Sequence, residues 1–306
     1  MSKTAFIFPG QASQFVGMGK DFYDKYEIAR KYYDKANEIL GFDLKNVSFE
    51  GPADDLKQTK ITQPAIFVLS VIVNELLQQK GFKPDFTAGH SLGEYAALVA
   101  CGSLSFEDGL RIVGLRGAEM QKAGEENIGT MAAIVGLTSD KVIECCTFAS
   151  SAGIVQAANF NSPVQTVISG SVSGVSEAMK VCKENGAKIV KELVVSGAFH
   201  SPLMQSAVDP VQNALREVEI IKPFCSFVPN VTADIESNPE SIKTLLVKQI
   251  TAPVKWSESV EMMIREGVSR FIEVGPGKVL QGLVKSIDKT VTNCGVGSVE
   301  EFENFN

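Results

Sequence analysis

Short apolar runs alternate with longer amphipathic stretches along this chain, and the alternation predicts an α/β architecture. Residues 4–8 form an apolar run cut off by Pro9-Gly10, which reads as a buried strand entering a tight loop. A helix is expected over residues 21–40. The most apolar stretch, residues 65–77, is shorter than a membrane span requires and is interrupted by Ser70 and Asn74. It predicts a buried core helix, with Pro64 at its start, where a missing N–H costs nothing, and Gly81 closing it. Residues 84–88 give a second short strand that runs into Gly89-His90-Ser91-Leu92-Gly93. Beyond it Leu92, Tyr95, Ala96 and Val99 fall at i, i+3, i+4 and i+7, one apolar helix face ended by Gly102. Ser105 followed by Asp108 resembles a capping box and opens a helix to about residue 122. Strand, sharp turn and helix in succession imply a core built on a parallel sheet.

The middle of the chain changes character. Strands are expected over residues 131–137, 154–159, 166–169 and 188–194, with helices over 140–148 and 172–185. The order is βαββαβ, the ferredoxin-like pattern. A small domain over residues 128–196, inserted into a discontinuous domain of residues 1–127 and 197–306, follows from it. The α/β pattern then returns, with strands over 227–231 and 270–274 and helices over 242–249, 257–266 and 278–287. Only the polar last residues, 300–306, read as disordered.

Composition narrows the classes of function. The chain has 306 residues and a net charge of -7 without basic runs, which disfavours nucleic acid and anionic membrane surfaces. Its beginning is too soon broken by Pro9-Gly10 to serve as a signal peptide, so a cytoplasmic protein is expected. Six cysteines without a CxxC pair, and two histidines, suit neither a disulfide framework nor a structural metal. The triplets at Asn46 and Asn230 match the glycosylation pattern and read as chance matches. Gly295-Val296-Gly297 lacks the third glycine of a dinucleotide site.

Gly89-His90-Ser91-Leu92-Gly93 matches G-x-S-x-G, the nucleophile elbow. A serine on a strained strand-to-helix turn projects its hydroxyl into a cleft, and the helix N-terminus behind it offers free N–H groups to an oxyanion. A plain glycine-rich turn satisfies the same five residues. A serine nucleophile needs a base, and the chain offers only His90 and His200. Consecutive residues on a sharp turn rarely aim their side chains at each other, which favours His200. No carboxylate stands out as a third member, so a backbone carbonyl orienting the imidazole would make a Ser-His dyad. Arg116 lies in an apolar, small-residue stretch of helix and must find an anion there. A structural carboxylate and a substrate carboxylate both meet that need.

Seven blocks in order make the chain resemble the malonyl-CoA:acyl carrier protein transacylase family of type II fatty acid synthesis. They are residues 8–14 with Gly17-Met18-Gly19, residues 89–98, Arg116-Gly117, residues 159–163, residues 198–204, Pro229-Asn230-Val231 and residues 273–277. The resemblance implies an α/β-hydrolase-like core with a ferredoxin-like insert. It implies transfer of a malonyl group from malonyl-CoA to the phosphopantetheine thiol of acyl carrier protein, through a malonyl-serine and without metal or tightly bound cofactor. By the same resemblance Ser91 is the nucleophile, His200 the general base and Arg116 the partner of the malonyl carboxylate. The backbone N–H groups of Gln11 and Leu92 form the oxyanion hole, the Gln249 carbonyl holds the histidine, and His90 touches the malonyl group. The segment at Ala198-Phe199-His200 resembles malonyl-selective members. A thioesterase on the same elbow and a non-catalytic binding protein are the competing classes. A monomer is expected. Docking an acidic carrier onto an acidic chain requires a local basic patch, for which Lys180, Lys183, Lys188 and Lys191 are the candidates.

Overall fold

The computed structural model describes residues 2–306. The chain starts in β1 (Lys3–Phe8), whose alternate residues face opposite layers. Phe6 and Phe8 pack into the larger core cluster, whereas Ala5 and Ile7 pack into a smaller one around Trp256, Val260 and Leu280. A strand covered on both faces reads as an unbroken apolar run, as this one does.

Five helices precede the next strand: α1 (Lys20–Lys25), α2 (Glu27–Leu40), α3 (Leu44–Glu50), α4 (Ala53–Leu56) and α5 (Thr59–Gln79). The single helix expected over 21–40 is broken at Tyr26, whose backbone is extended (φ -114°, ψ 125°). Arg30 makes the break tolerable, since its Nη1 donates to the carbonyls of Tyr23 and Asp24 at the end of α1. Pro64 is not at the start of the apolar helix but inside it, because α5 begins five residues earlier. The added turn was hidden because Thr59, Thr62 and Gln63 are polar yet fully buried. At its full length α5 is long and apolar enough to cross a membrane, and its burial, not its length, marks it as the central core helix.

The strand β2 (Phe86–Gly89) leads through the elbow into α6 (Gly93–Ala100) and α7 (Phe106–Glu126). The small sheet follows as β3 (Gly129–Val135), α8 (Ser139–Ala149), β4 (Val155–Ser162), β5 (Gln165–Ser171), α9 (Val172–Glu184) and β6 (Ile189–Glu192). Its strand order is β4-β5-β3-β6 with every neighbour antiparallel, the arrangement of a ferredoxin-like unit. Ala132 and Ile134 face α8 and α9, whereas Met131 and Val167 join the main core, so the small sheet is packed onto the large one.

The chain returns through a 3-10 turn (Pro202–Ala207) and α10 (Val208–Glu217) to β7 (Ser226–Val228), α11 (Pro239–Lys248) and α12 (Trp256–Arg265). It ends with β8 (Val268–Val274), α13 (Val279–Ile287), β9 (Thr292–Val296) and α14 (Val299–Glu303). The last residues are not disordered as their polarity suggested. Phe302 and Phe305 are buried, with Phe302 against Tyr26 and Phe305 against Phe82. The large sheet runs β7-β2-β1-β8-β9, parallel throughout. Its register pairs Phe8 with Gly89 and Ile7 with Glu273, which brings three strand ends level. The crevice beyond such carboxyl ends is where α/β sheets bind ligands.

Candidate active site

The elbow after β2 is built by close approach of backbone. A Cβ on Gly89 would lie 1.9 Å from the carbonyl carbon of Gly93, and one on Gly93 would lie 2.1 Å from the oxygen of Phe8. Only glycine fits at either place. Ser91 between them has φ +52°, in the left-handed region. The side chain of Asn230 clamps the turn from both sides. Its Oδ1 accepts from the Ser91 N–H at 2.7 Å and its Nδ2 donates to the Gly89 carbonyl at 2.5 Å. The chance glycosylation match is thus a residue that is 1% exposed and structural to the elbow.

His200 lies between β6 and the 3-10 turn, also with positive φ (+56°). Gln156 on β4 holds the loop by donating to the His200 carbonyl at 2.8 Å and to the Thr251 carbonyl at 3.1 Å. The imidazole is bonded at both nitrogens. Nδ1 donates to the backbone oxygen of Gln249 at 2.7 Å, which leaves Nε2 to accept the Ser91 hydroxyl proton at 2.8 Å. Burial, and then the nearby Arg116 charge, push His200 down to about 3. The imidazole is therefore neutral and able to take a proton.

Arg116 on α7 is completely buried and has no carboxylate within ion-pair distance among the described residues. Its Nη1 donates to Gln63 Oε1 at 2.7 Å. Its Nη2 donates to Gln249 Oε1 at 2.8 Å and to Ser91 Oγ at 3.1 Å. A guanidinium held by neutral amides and aimed at a serine is a ready anion site. Two backbone donors stand nearby. The N–H groups of Ser91 and Gly93 are taken by Asn230 and His90, whereas those of Leu92 and Gln11 meet no acceptor among the described residues. Gly10 comes so near the elbow that a Cβ there would lie 2.6 Å from the His90 oxygen, which brings the turn that carries Gln11 against the elbow.

Ser91, His200, Arg116, Gln249, Leu92 and Gln11 therefore converge. His90 does not reach the Ser91 hydroxyl: its Nε2 donates to Asn161 Oδ1 at 2.9 Å and its ring lies 5.7 Å from that of Trp256. Among the described residues no cluster of His, Cys, Asp and Glu could hold a metal ion. The lysine candidates Lys180, Lys183, Lys188 and Lys191 are all exposed on α9 and beside or within β6, and Lys180 lies 3.7 Å from Glu177. Four polar residues of the site escaped the sequence reading: Gln63, Glu94, Gln156 and Asn161. Of these only Glu94 and Asn161 lie in motif blocks, and nothing in the sequence marks Gln63 or Gln156 as buried.

The fold and the Ser91–His200 pair define a class, the α/β enzymes equipped to carry an acyl group on a serine. Comparisons with known proteins agree. The acyl transferase domain family matches residues 5–299. A malonyl CoA-acyl carrier protein transacylase of Bacillus subtilis (strain 168) is 44% identical over 304 residues, covering 99% of this chain and 96% of the relative. An acyl carrier protein S-malonyltransferase from Vibrio cholerae has the same fold, with a TM-score of 0.96 at 42% identity and 100% coverage of both chains. So does a malonyl-transacylase solved with a type II PKS acyl-carrier protein, with a TM-score of 0.95 at 39% identity, covering 99% of this chain and 98% of that one. The chain belongs to the malonyl-CoA:acyl carrier protein transacylase family of fatty acid synthesis. Its activity is that of an acyl-carrier-protein S-malonyltransferase.

Proposed function

We propose that the transfer runs by a ping-pong route over Ser91. His200 Nε2 takes the hydroxyl proton as Ser91 Oγ attacks the thioester carbonyl of malonyl-CoA. The N–H groups of Gln11 and Leu92 hold the oxyanion of the tetrahedral intermediate. Its collapse breaks the carbon–sulfur bond, and His200 returns the proton to the departing coenzyme A thiolate. The phosphopantetheine thiol of acyl carrier protein then repeats the sequence in reverse on the malonyl-serine. Arg116 pairs with the malonyl carboxylate throughout, and His90 lines the malonyl pocket.

The observation that carries this reading is the buried guanidinium of Arg116, 3.1 Å from the Ser91 hydroxyl and bonded otherwise only to glutamine oxygens. A thioesterase for neutral acyl groups has no use for it. Intact-protein mass after brief incubation with malonyl-CoA tests the reading, beside acetyl-CoA and a Ser91→Ala control. A malonyl adduct on the wild type alone, weak or absent with acetyl-CoA, is expected. Rapid release of coenzyme A without an adduct would make the enzyme a hydrolase.

The same reading treats residues 128–196 as an insert domain in a catalytic domain of residues 1–127 and 197–306. It makes the enzyme a cytoplasmic monomer. The exposed Lys180, Lys183, Lys188 and Lys191 are the proposed docking patch for the acidic carrier.

A further inference from the structure

Glu94, in the first turn of α6, is a carboxylate with no exposed surface, and the transfer mechanism gives it no task. One of its oxygens makes all of its contacts. Oε2 accepts from Gln249 Nε2 at 2.6 Å and from the Asn230 N–H at 3.2 Å, while Oε1 has no partner among the described residues. Burial pushes the carboxyl up to about 7 despite these bonds and the Arg116 charge. A group so placed is costly to the fold, and its bonds lead directly to the reacting residues.

The Gln249 side chain shows where they lead. Its Nε2 donates to Glu94 and to the Ser91 carbonyl at 2.9 Å, so both of its hydrogens are used. Its Oε1 is thereby turned toward Arg116 Nη2 at 2.8 Å. Were the amide reversed, an NH2 group would face a guanidinium, donor against donor, and Arg116 Nη2 would keep only the Ser91 hydroxyl as an acceptor. Glu94 Oε2 also fixes the backbone of Asn230, whose side chain clamps the elbow.

We propose that Glu94 is a positioning residue for malonyl transfer: it sets the orientation of the Gln249 amide, and through that amide the aim of the Arg116 clamp over Ser91. The proposal rests on Arg116 as the malonyl site. It adds that recognition of the carboxylate depends on a residue that never touches it.

The test is the ratio of kcat/KM for malonyl-CoA to that for acetyl-CoA, read as acyl-serine formation. Glu94→Met keeps the volume and removes the acceptor, and should lower the ratio at least about 10-fold, the scale of one lost charge-assisted bond. A merely structural role would slow both substrates alike. Glu94→Gln keeps an acceptor oxygen and should restore most of the ratio. Gln249→Met should reproduce the loss, and the double variant should be no worse than the worse single one, as members of one chain of contacts are not additive. An unchanged ratio in Glu94→Met, a ratio still low in Glu94→Gln, or additive losses would each overturn the proposal. Should Glu94→Met fail to fold, an unchanged ratio in Gln249→Met or a low one in Glu94→Gln would still overturn it. A wild type that shows no malonyl preference at all would instead remove the underlying reading of Arg116.

Discussion

Nδ1 of His200 lies 2.7 Å from the backbone oxygen of Gln249, so a peptide carbonyl, not a carboxylate, orients the imidazole. A carbonyl fixes the tautomer but carries no full charge to favour an imidazolium. Burial and the neighbouring Arg116 then dominate and hold His200 down near 3. NMR of the labelled imidazole in the free enzyme should therefore show a neutral ring with its proton on Nδ1 down to pH 5. A midpoint near the ordinary histidine value of 6.5 would mean that the site is open to water.

Two buried groups make opposite demands on stability as pH changes. For His200 the unfolded chain takes up a proton near pH 6.5 and the folded one only near 3, so stability is full above 6.5 and is lost as pH falls toward 3. For Glu94 the folded carboxyl keeps its proton to about 7 while the unfolded one releases it near 4.5, so stability is lost as pH rises through that window. Thermal unfolding should show His200→Gln gaining on the wild type as pH falls from 7 to 5. Glu94→Gln should gain on it as pH rises from 5 to 8. The reverse order in either variant would contradict the assigned environment.

The proposed role of Arg116 is to discriminate by charge. A buried guanidinium that loses its anion costs about 3–5 kcal/mol, so acetyl-CoA should be a poor substrate. Arg116→Ala should lose malonyl loading by a factor on the order of 10² or more, while acetyl loading holds or rises. Single-turnover adduct formation with each thioester measures both. A variant that still preferred malonyl would take Arg116 out of the site.

Reversing Lys180, Lys183, Lys188 and Lys191 to glutamate should slow transfer to the carrier by about 10-fold and abolish its salt dependence, as steering charges act on association. Loading from malonyl-CoA should be unaffected. Unchanged carrier transfer would place the docking surface elsewhere.

The strand–turn–helix around Ser91 was legible because packing dictates its glycines, and packing leaves a sequence trace. The order of the small sheet was legible for a similar reason, its βαββαβ pattern admitting few topologies. β9 left no such trace: Thr292, Asn293 and Gly295 do not read as a strand, and it is pairing with β8 that makes one. The site was legible where chemistry is rare, as with two histidines in the whole chain. It was hidden where chemistry is common. Glu94 in the first turn of a helix looks like any acidic residue that suits the helix dipole. Gln63 and Gln156 are two glutamines among many, and only tertiary structure shows them to be fully or partly buried and bonded.

Ser91 and His200 both hold left-handed backbone without being glycine, which costs each about 1 kcal/mol or more. The two residues proposed to do the chemistry are thus places where the fold would be more comfortable with something inert. Ser91→Gly should melt above the wild type while losing all transfer. Selection for thermal robustness alone would erode this enzyme from its centre outward, and stabilising substitutions are best sought far from the elbow.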